Sequence, residues 1–299
     1  MRVFVTGATG HIGSAVVPEL LQAGHQVVGL SRSDQGAATL RKWGAEVHRG
    51  DLDDLDGLRQ AAAASDGVIH LAFKHDFDDF LGSVESDRIA VETLGEALVG
   101  SDKPLVTTGG TLMVAFVEGR HATESDTLPA GPRIDAENAT IALADKGVRS
   151  SVIRLSPLVH SDLDHHGFAH HIIDCARKAG VSAYIGDGAN RWPGVHTFDA
   201  ARLYRLALEK APAGTRLHGV ADEGVAFRDI AELVGRRLDL PTKSIALEEA
   251  PEHFGFLAGF AGLDDATSSE LTQKLLDWKP KHPGLLEDLE SGHYFDSDR

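Results

Sequence analysis

The sequence predicts a doubly wound α/β fold, a parallel sheet with helices on both faces, followed by a smaller C-terminal lobe. Three observations predict it. Strand-like apolar runs alternate with helix-period segments through the first 155 residues. The first run leads straight into Gly7-x-x-Gly10-x-x-Gly13 and then into an apolar-periodic segment. The chain has 299 residues, 42% of them hydrophobic, enough to bury a large core.

The elements follow in order. Met1–Thr6 reads as a buried strand, and Ile12, Val16, Val17, Leu20 and Leu21 mark a helix that ends at Gly24, with Pro18 inside it costing a hydrogen bond. Gln26–Leu30, Ala45–His48, Gly67–Ala72, Pro104–Thr108 and Val148–Leu155 read as the next five strands. Between them, Gln35–Trp43, Leu55–Ala64, Phe80–Val99 and Arg133–Lys146 read as helices. Right-handed crossovers then set the strand C-termini, and so a ligand, along one edge. Beyond residue 155 the rhythm loosens. Ser156–Gly167 reads as a loop, Phe168–Lys178 as a helix, Ala183–Val195 as mostly loop, and Phe198–Lys210 as a helix. A strand at Leu217–Ala221, a helix at Arg228–Leu238 and short pieces complete the chain. The expected division is 1–155 for the sheet domain and 156–299 for the lobe, with strands free to interleave across the boundary.

Strand, glycine turn and helix in succession form the context of a dinucleotide fingerprint. Gly7 permits the tight turn, Gly10 admits a pyrophosphate close to the backbone, and Gly13 packs helix on strand. Thr9, His11 and Ile12 line the same turn, where the helix N-terminus offers free N–H groups. The sheet is therefore of Rossmann type. The second strand ends Ser31-Arg32-Ser33, with no acid before Asp34. A guanidinium flanked by hydroxyls suits a 2′-phosphate, so NADP(H) is the expected cofactor. Asp51-Leu52 after the third strand offers a carboxylate to adenine, the alternative being a helix cap by Asp51 or Asp53. Leu71-Ala72-Phe73 ends the fourth strand beside the cofactor.

The chain has 29 Lys and Arg against 45 Asp and Glu, a formal charge of −16, which argues against nucleic acid and anionic membranes as partners. Cys175 is the only cysteine, so an intrachain disulfide is excluded. The first strand starts at residue 2, and no apolar run reaches membrane-spanning length. A cytoplasmic location is expected.

Thr6-Gly7-x-x-Gly10-x-x-Gly13, Asp51-Leu52 and Leu71-Ala72 resemble the extended short-chain dehydrogenase/reductases, the epimerase/dehydratase-like group. Arg154-Leu-Ser-Pro157-Leu-Val-His160 resembles that family's segment lining the nicotinamide, which adds Thr107 and Pro157 to the implied cofactor contacts. Gly186–Ala200, with Trp192-Pro193-x-x-His196, resembles a later family stretch. One departure outweighs these matches. The family donates its proton from Tyr-x-x-x-Lys, and the matching helix here places Arg133 and Glu137 at those positions. Tyr184, Tyr204 and Tyr294 are the only tyrosines, and none has Lys four residues later.

An arginine delivers no proton, because its pKa stays above about 12. Arg133 is expected either to pair with Glu137 along the helix, the preferred reading, or to stabilise developing negative charge. Thr108, with Thr111, is the expected holder of the substrate oxygen, and Tyr184, His160, His196 or water the expected proton source. Phe73, Phe168, Trp192 and His196 are the expected substrate contacts. His165, His166, His170 and His171 match no established zinc spacing, so no metal is expected. The expected function is NADPH-dependent reduction of a ketone or aldehyde. The alternatives are a nucleotide-sugar epimerase or dehydratase and a non-catalytic NADP(H)-sensing regulator. The small-molecule carbonyl substrate is the expected partner, with a homodimer expected by analogy.

Overall fold

The computed structural model describes residues 1–76 and 79–295. Seven strands form one parallel sheet: β1 (Arg2–Thr6), β2 (Gln26–Ser31), β3 (Glu46–Arg49), β4 (Gly67–His70), β5 (Pro104–Gly110), β6 (Arg149–Leu155) and, after three strands of the lobe, β10 (Thr215–Gly219). Their spatial order is β10-β6-β5-β4-β1-β2-β3. The chain winds outward from β1 to β3, then returns to start again at β4, so the switch point lies between β1 and β4. Ligands of such sheets bind in the crevice at that point.

The helices α1 (His11–Gln22), α2 (Asp34–Trp43), α3 (Leu55–Ala63), α4 (Phe80–Glu96) and α5 (Ile134–Ala142) fall close to their expected ranges because their ends are chemically marked. Ser33, Asp54 and Asp79 each accept the backbone N–H three residues on and cap α2, α3 and α4. Gly44 closes α2 in a left-handed conformation, φ +90°. Pro18 is accommodated within α1.

The C-terminal half is more ordered than expected. The presumed loops hold β7 (Leu158–His160), β8 (Ser182–Ile185) and β9 (Arg191–His196). Strand β9 pairs with β7 and with β11 (Asp222–Ala226), while β8 pairs with β12 (Thr242–Ile245). Pro193 and Gly194 break the apolar alternation within β9, and Gly186 and Gly188 follow closely on the four residues of β8. The helices α6 (Phe168–Ala179), α7 (Thr197–Lys210) and α8 (Phe227–Leu238) complete the frame. The two halves interleave, since β10 extends the main sheet and the α7 residues Leu203, Tyr204 and Leu208 share a core with α1. The lobe has its own core around Trp192, Phe227, Phe254 and Ile173.

Gly7 and Gly13 set the turn between β1 and α1. Gly7 has φ +64°, and a Cβ there would lie 2.7 Å from the Ala72 nitrogen. A Cβ on Gly13 would collide with the carbonyl oxygen of Gly7, which is backbone and cannot swing aside. Gly13→Ala should therefore destabilise the fold by about 1–3 kcal/mol or more, read by denaturant titration. A variant as stable as the parent would show that the turn is less tightly packed than described.

Candidate active site at the sheet switch point

Thr6, the last residue of β1, ties the turn to the end of β4. Its hydroxyl accepts from the N–H groups of Leu71 and Ala72 (both 3.2 Å) and meets His70 Nδ1 at 2.7 Å. With both acceptor positions used, the hydroxyl donates to Nδ1, and His70 Nε2–H donates to Asp87 (3.2 Å). All three side chains are buried. This clamp places Phe73 at the crevice.

On the neighbouring strand, Thr108 donates its hydroxyl proton to the His70 carbonyl (2.8 Å) and accepts from the Tyr204 hydroxyl (2.7 Å). Burial raises the pKa of Tyr204, so its phenol stays protonated and donating. The single proton of Thr108 is committed to the backbone, which corrects its expected role as the group holding a substrate oxygen. Thr111 is also corrected: it is fully buried and bonds Asp265 at 2.6 Å. Thr107 is buried too, with its hydroxyl against Thr140 (3.1 Å), so it offers a cofactor only its backbone.

Arg133 reaches this edge instead. Its Nη2 donates to the Thr108 carbonyl (2.7 Å), and its guanidinium lies 4.2 Å from the centroid of the Phe73 ring. The backbone of Arg133 is left-handed, φ +61°, just ahead of α5. The expected pairing of Arg133 with Glu137 is not formed. Glu137 is buried and chelated by Arg154 (2.6 and 2.8 Å), with Arg216 on the same oxygen Oε1 (2.6 Å). Burial alone would raise its pKa, but the two guanidiniums outweigh burial and hold it below the usual range.

The other expected catalytic and substrate residues lie elsewhere. His160 is fully buried, 2.9 Å from Asp288. Tyr184 belongs to β8 and stacks with Arg228 in the lobe, 5.6 Å from the guanidinium to the ring centroid, with no contact to Thr108 or Arg133. Trp192 is wholly buried against Phe227 and Phe168, a core residue and not a substrate contact. Phe168 packs between Trp192 and Phe256. His196 is buried, stacks on His282 (4.7 Å) and accepts from the Phe198 N–H at the start of α7. Of the four expected substrate contacts, only Phe73 stands at the crevice. The histidine run packs the loop: His170 and His171 bond the carbonyls of Asp164 and Phe254. Among the described residues, no group of three or more His, Cys, Asp or Glu is arranged to hold a metal. No helix among them is long and apolar enough to cross a membrane.

The cofactor trough is better formed. A Cβ on Gly10 would meet only the Gly7 carbonyl oxygen, at 3.4 Å, so the backbone is open to a pyrophosphate there. His11 and Ile12 turn their side chains elsewhere, His11 to Thr197 (2.8 Å) and Ile12 onto the core. Three hydroxyls, from Thr9, Ser31 and Ser33, surround Gly36, where an added Cβ would lie 3.3, 2.6 and 3.2 Å from them. Arg32 is exposed beside them. Arg49, which the sequence reading missed, crosses from the end of β3 to the carbonyls of Ser33 and Arg32. Its signal was register, since β3 runs parallel to β2 and sets Arg49 opposite Ser31. Asp51 spends Oδ1 on the N–H groups of Asp53 and Asp54, while α3 is capped by Asp54 and Asp53 pairs with Lys74. Leu52 is buried, and Pro157 is half-buried between β6 and β7.

A glycine turn, an open pyrophosphate position and a crevice at the β1/β4 switch define a dinucleotide-dependent enzyme class. Residues 3–112 match the model of the NAD dependent epimerase/dehydratase family. An uncharacterized protein of Schizosaccharomyces pombe is 48% identical over 297 residues, covering 99% of this chain and all of its own length. UDP-glucose 4-epimerase of Streptomyces lividans is 36% identical, over 95% of this chain and 93% of its own. The solved dTDP-glucose 4,6-dehydratase DesIV of Streptomyces venezuelae, with NAD and TYD bound, superposes with a TM-score of 0.80 at 19% identity, covering 100% of this chain and 98% of its own. The chain belongs to the NAD-dependent epimerase/dehydratase family, as an atypical short-chain dehydrogenase/reductase. Membership makes a nicotinamide dinucleotide its cofactor, and the Gly7–Gly13 cradle fits one.

Two predictions follow from the buried charges. Glu137→Ala would strand Arg154 without its partner and should cost about 3–5 kcal/mol in denaturant titration. A loss under about 1 kcal/mol would fit a solvent-screened helix pair instead. His196 has its pKa lowered to about 4, first by burial and then by the charge of His160. The unfolded chain takes up this proton first, so stability should fall as pH drops from about 6.5 towards 4. His196→Asn keeps a capping acceptor and should flatten that fall in pH-dependent melting. Parallel curves for the two proteins would contradict the assignment.

Proposed function

We propose that this protein is an NADPH-dependent reductase of ketones or aldehydes in which Arg133 holds the reacting oxygen. The observation that carries the reading is the Arg133 guanidinium itself, set at the strand-end crevice by the Thr108 carbonyl and the Phe73 ring. When bound, the nicotinamide supplies the hydride. Arg133 spends one of its five N–H donors on Thr108 and keeps the rest for negative charge growing on a carbonyl oxygen. This fixed charge needs no reorganisation during the reaction. Because Arg133 stays protonated, water provides the proton that completes the alcohol. Thr108 and Tyr204 act one layer below, holding the end of β5 whose Thr108 carbonyl accepts from Arg133.

The preference for NADPH rests on chemistry at the end of β2. Hydroxyls of Thr9, Ser31 and Ser33 converge around Gly36, with Arg32 and Arg49 beside them, and a 2′-phosphate would complete this cluster. The likeness to UDP-glucose 4-epimerase favours a second reading, epimerisation. That chemistry needs a base to withdraw a proton from a substrate hydroxyl. Arg133 cannot serve as one, and Glu137 is held by two arginines, so reduction is preferred.

Screening NADPH oxidation over a panel of carbonyl compounds tests the proposal. Arg133→Met should lower turnover by roughly a hundredfold or more, with NADPH affinity kept within a few-fold. In the same assays, Arg32→Ala should weaken NADPH binding by about 1–3 kcal/mol and leave NADH binding little changed. Tight NADPH binding without oxidation by any carbonyl would favour the sensor reading, and equal losses for both cofactors would remove the 2′-phosphate assignment.

A further inference from the structure

We infer that the substrate is an oxo acid, with a carboxylate beside the carbonyl that is reduced, and that Arg133 binds both groups. The inference rests on the reductase reading above and names its substrate class. Among the described residues the hydrogen-bond and ring contacts of Arg133 are the Thr108 carbonyl and the Phe73 ring, and no carboxylate lies within ion-pair distance. The chain is rich in possible counter-ions, with 45 acidic residues against 29 basic ones. The buried Arg154 and the half-buried Arg205 and Arg216 pair with glutamates, and the half-buried Arg149 gives two N–H groups to the Ala211 and Leu208 carbonyls, whereas Arg133 gives one, to Thr108. A half-buried guanidinium without a counter-ion is costly unless a ligand supplies the negative charge.

The form of the side chain narrows the ligand. A tyrosine offers a carbonyl one donor, whereas a guanidinium offers a planar fork matched to two oxygens. The Phe73 ring, 4.2 Å from the guanidinium carbon, holds the cation through its π-face and consumes no N–H as a conventional hydrogen bond would. A lone ketone oxygen fills only part of the fork. A carboxylate one or two carbons from the ketone fills the remainder and neutralises the charge. Both 2-oxo and 3-oxo acids have this spacing. In the reaction the ketone carbon gains hydride from NADPH, its oxygen gains a proton from water, and NADP+ and the hydroxy acid leave. The carboxylate is unchanged.

The test compares pyruvate and acetoacetate with their methyl esters and with butan-2-one in the NADPH-loaded enzyme. The acids should exceed their esters in kcat/KM by at least about thirtyfold, as loss of one charge-assisted bond implies. Arg133→Lys keeps the charge without the fork and should narrow that ratio, mainly through KM. Arg133→Met should abolish it. Calorimetry supplies a readout without turnover: 3-hydroxybutyrate should bind the NADP+-loaded protein and fail to bind the Arg133→Met variant, whose NADP+ affinity is retained. Acids and esters turned over equally, or a ratio unchanged in Arg133→Met, would overturn the carboxylate assignment and leave the reductase reading standing. Arg133-dependent binding of 3-hydroxybutyrate by a protein that reduces no carbonyl would support the carboxylate site while overturning the reductase reading. Loss of NADP+ affinity in Arg133→Met would assign Arg133 to the cofactor and overturn the inference.

Discussion

The close approach of the first glycine turn to the end of β4 is the constraint on which the rest of the site depends. There is no room for a side chain at Gly7, because its Cβ would lie only 2.7 Å from the Ala72 nitrogen. Thr6 fastens the same junction through three hydrogen bonds, and His70 carries it on to Asp87. Once β4 ends there, the His70 carbonyl is in place for Thr108, the Thr108 carbonyl for Arg133, and Phe73 for the guanidinium. The cofactor cradle and the reacting edge are thus two sides of one packed junction.

A second constraint is electrostatic. Glu137 is buried at the start of α5, and two strands of the sheet supply arginines to meet it. Arg154 bonds not only Glu137 but also the Asp126 carbonyl and His218, so a buried network spans β6, β10 and α5. Such a network is costly to desolvate and costlier to break. It fixes the helix that follows Arg133 while taking Glu137 out of acid–base chemistry. Among these groups only Arg133 brings its charge to the crevice, as a permanent cation.

Much of the first half was legible in the sequence because its signals are local. Glycines, capping side chains and apolar periodicity mark each element within a few residues. The failures share a cause, which is partners far away in the chain. Spacing suggested Arg133 with Glu137, but the partners of Glu137 lie 17 and 79 residues on. Thr108 gives its one proton to the His70 carbonyl, 38 residues back, and accepts from Tyr204, 96 residues on. Aromatic character and the family resemblance of their segment marked Trp192 and His196 as substrate contacts, whereas both sit on β9, the central strand of the lobe's three-stranded sheet. Side-chain identity marked the dinucleotide turn, and only tertiary placement showed which polar side chains stand at the crevice.

The central claim is that a guanidinium stands where a titrating hydroxyl would act, and the pH dependence of hydride transfer tests it most directly. The rate of a single turnover, followed by loss of NADPH absorbance under saturating substrate, should stay flat from about pH 6 to about pH 9, because arginine does not titrate in that range. A sigmoidal fall in that window that persists in Arg133→Met would contradict the account, since it would place the chemistry on an ionising acid and not on Arg133.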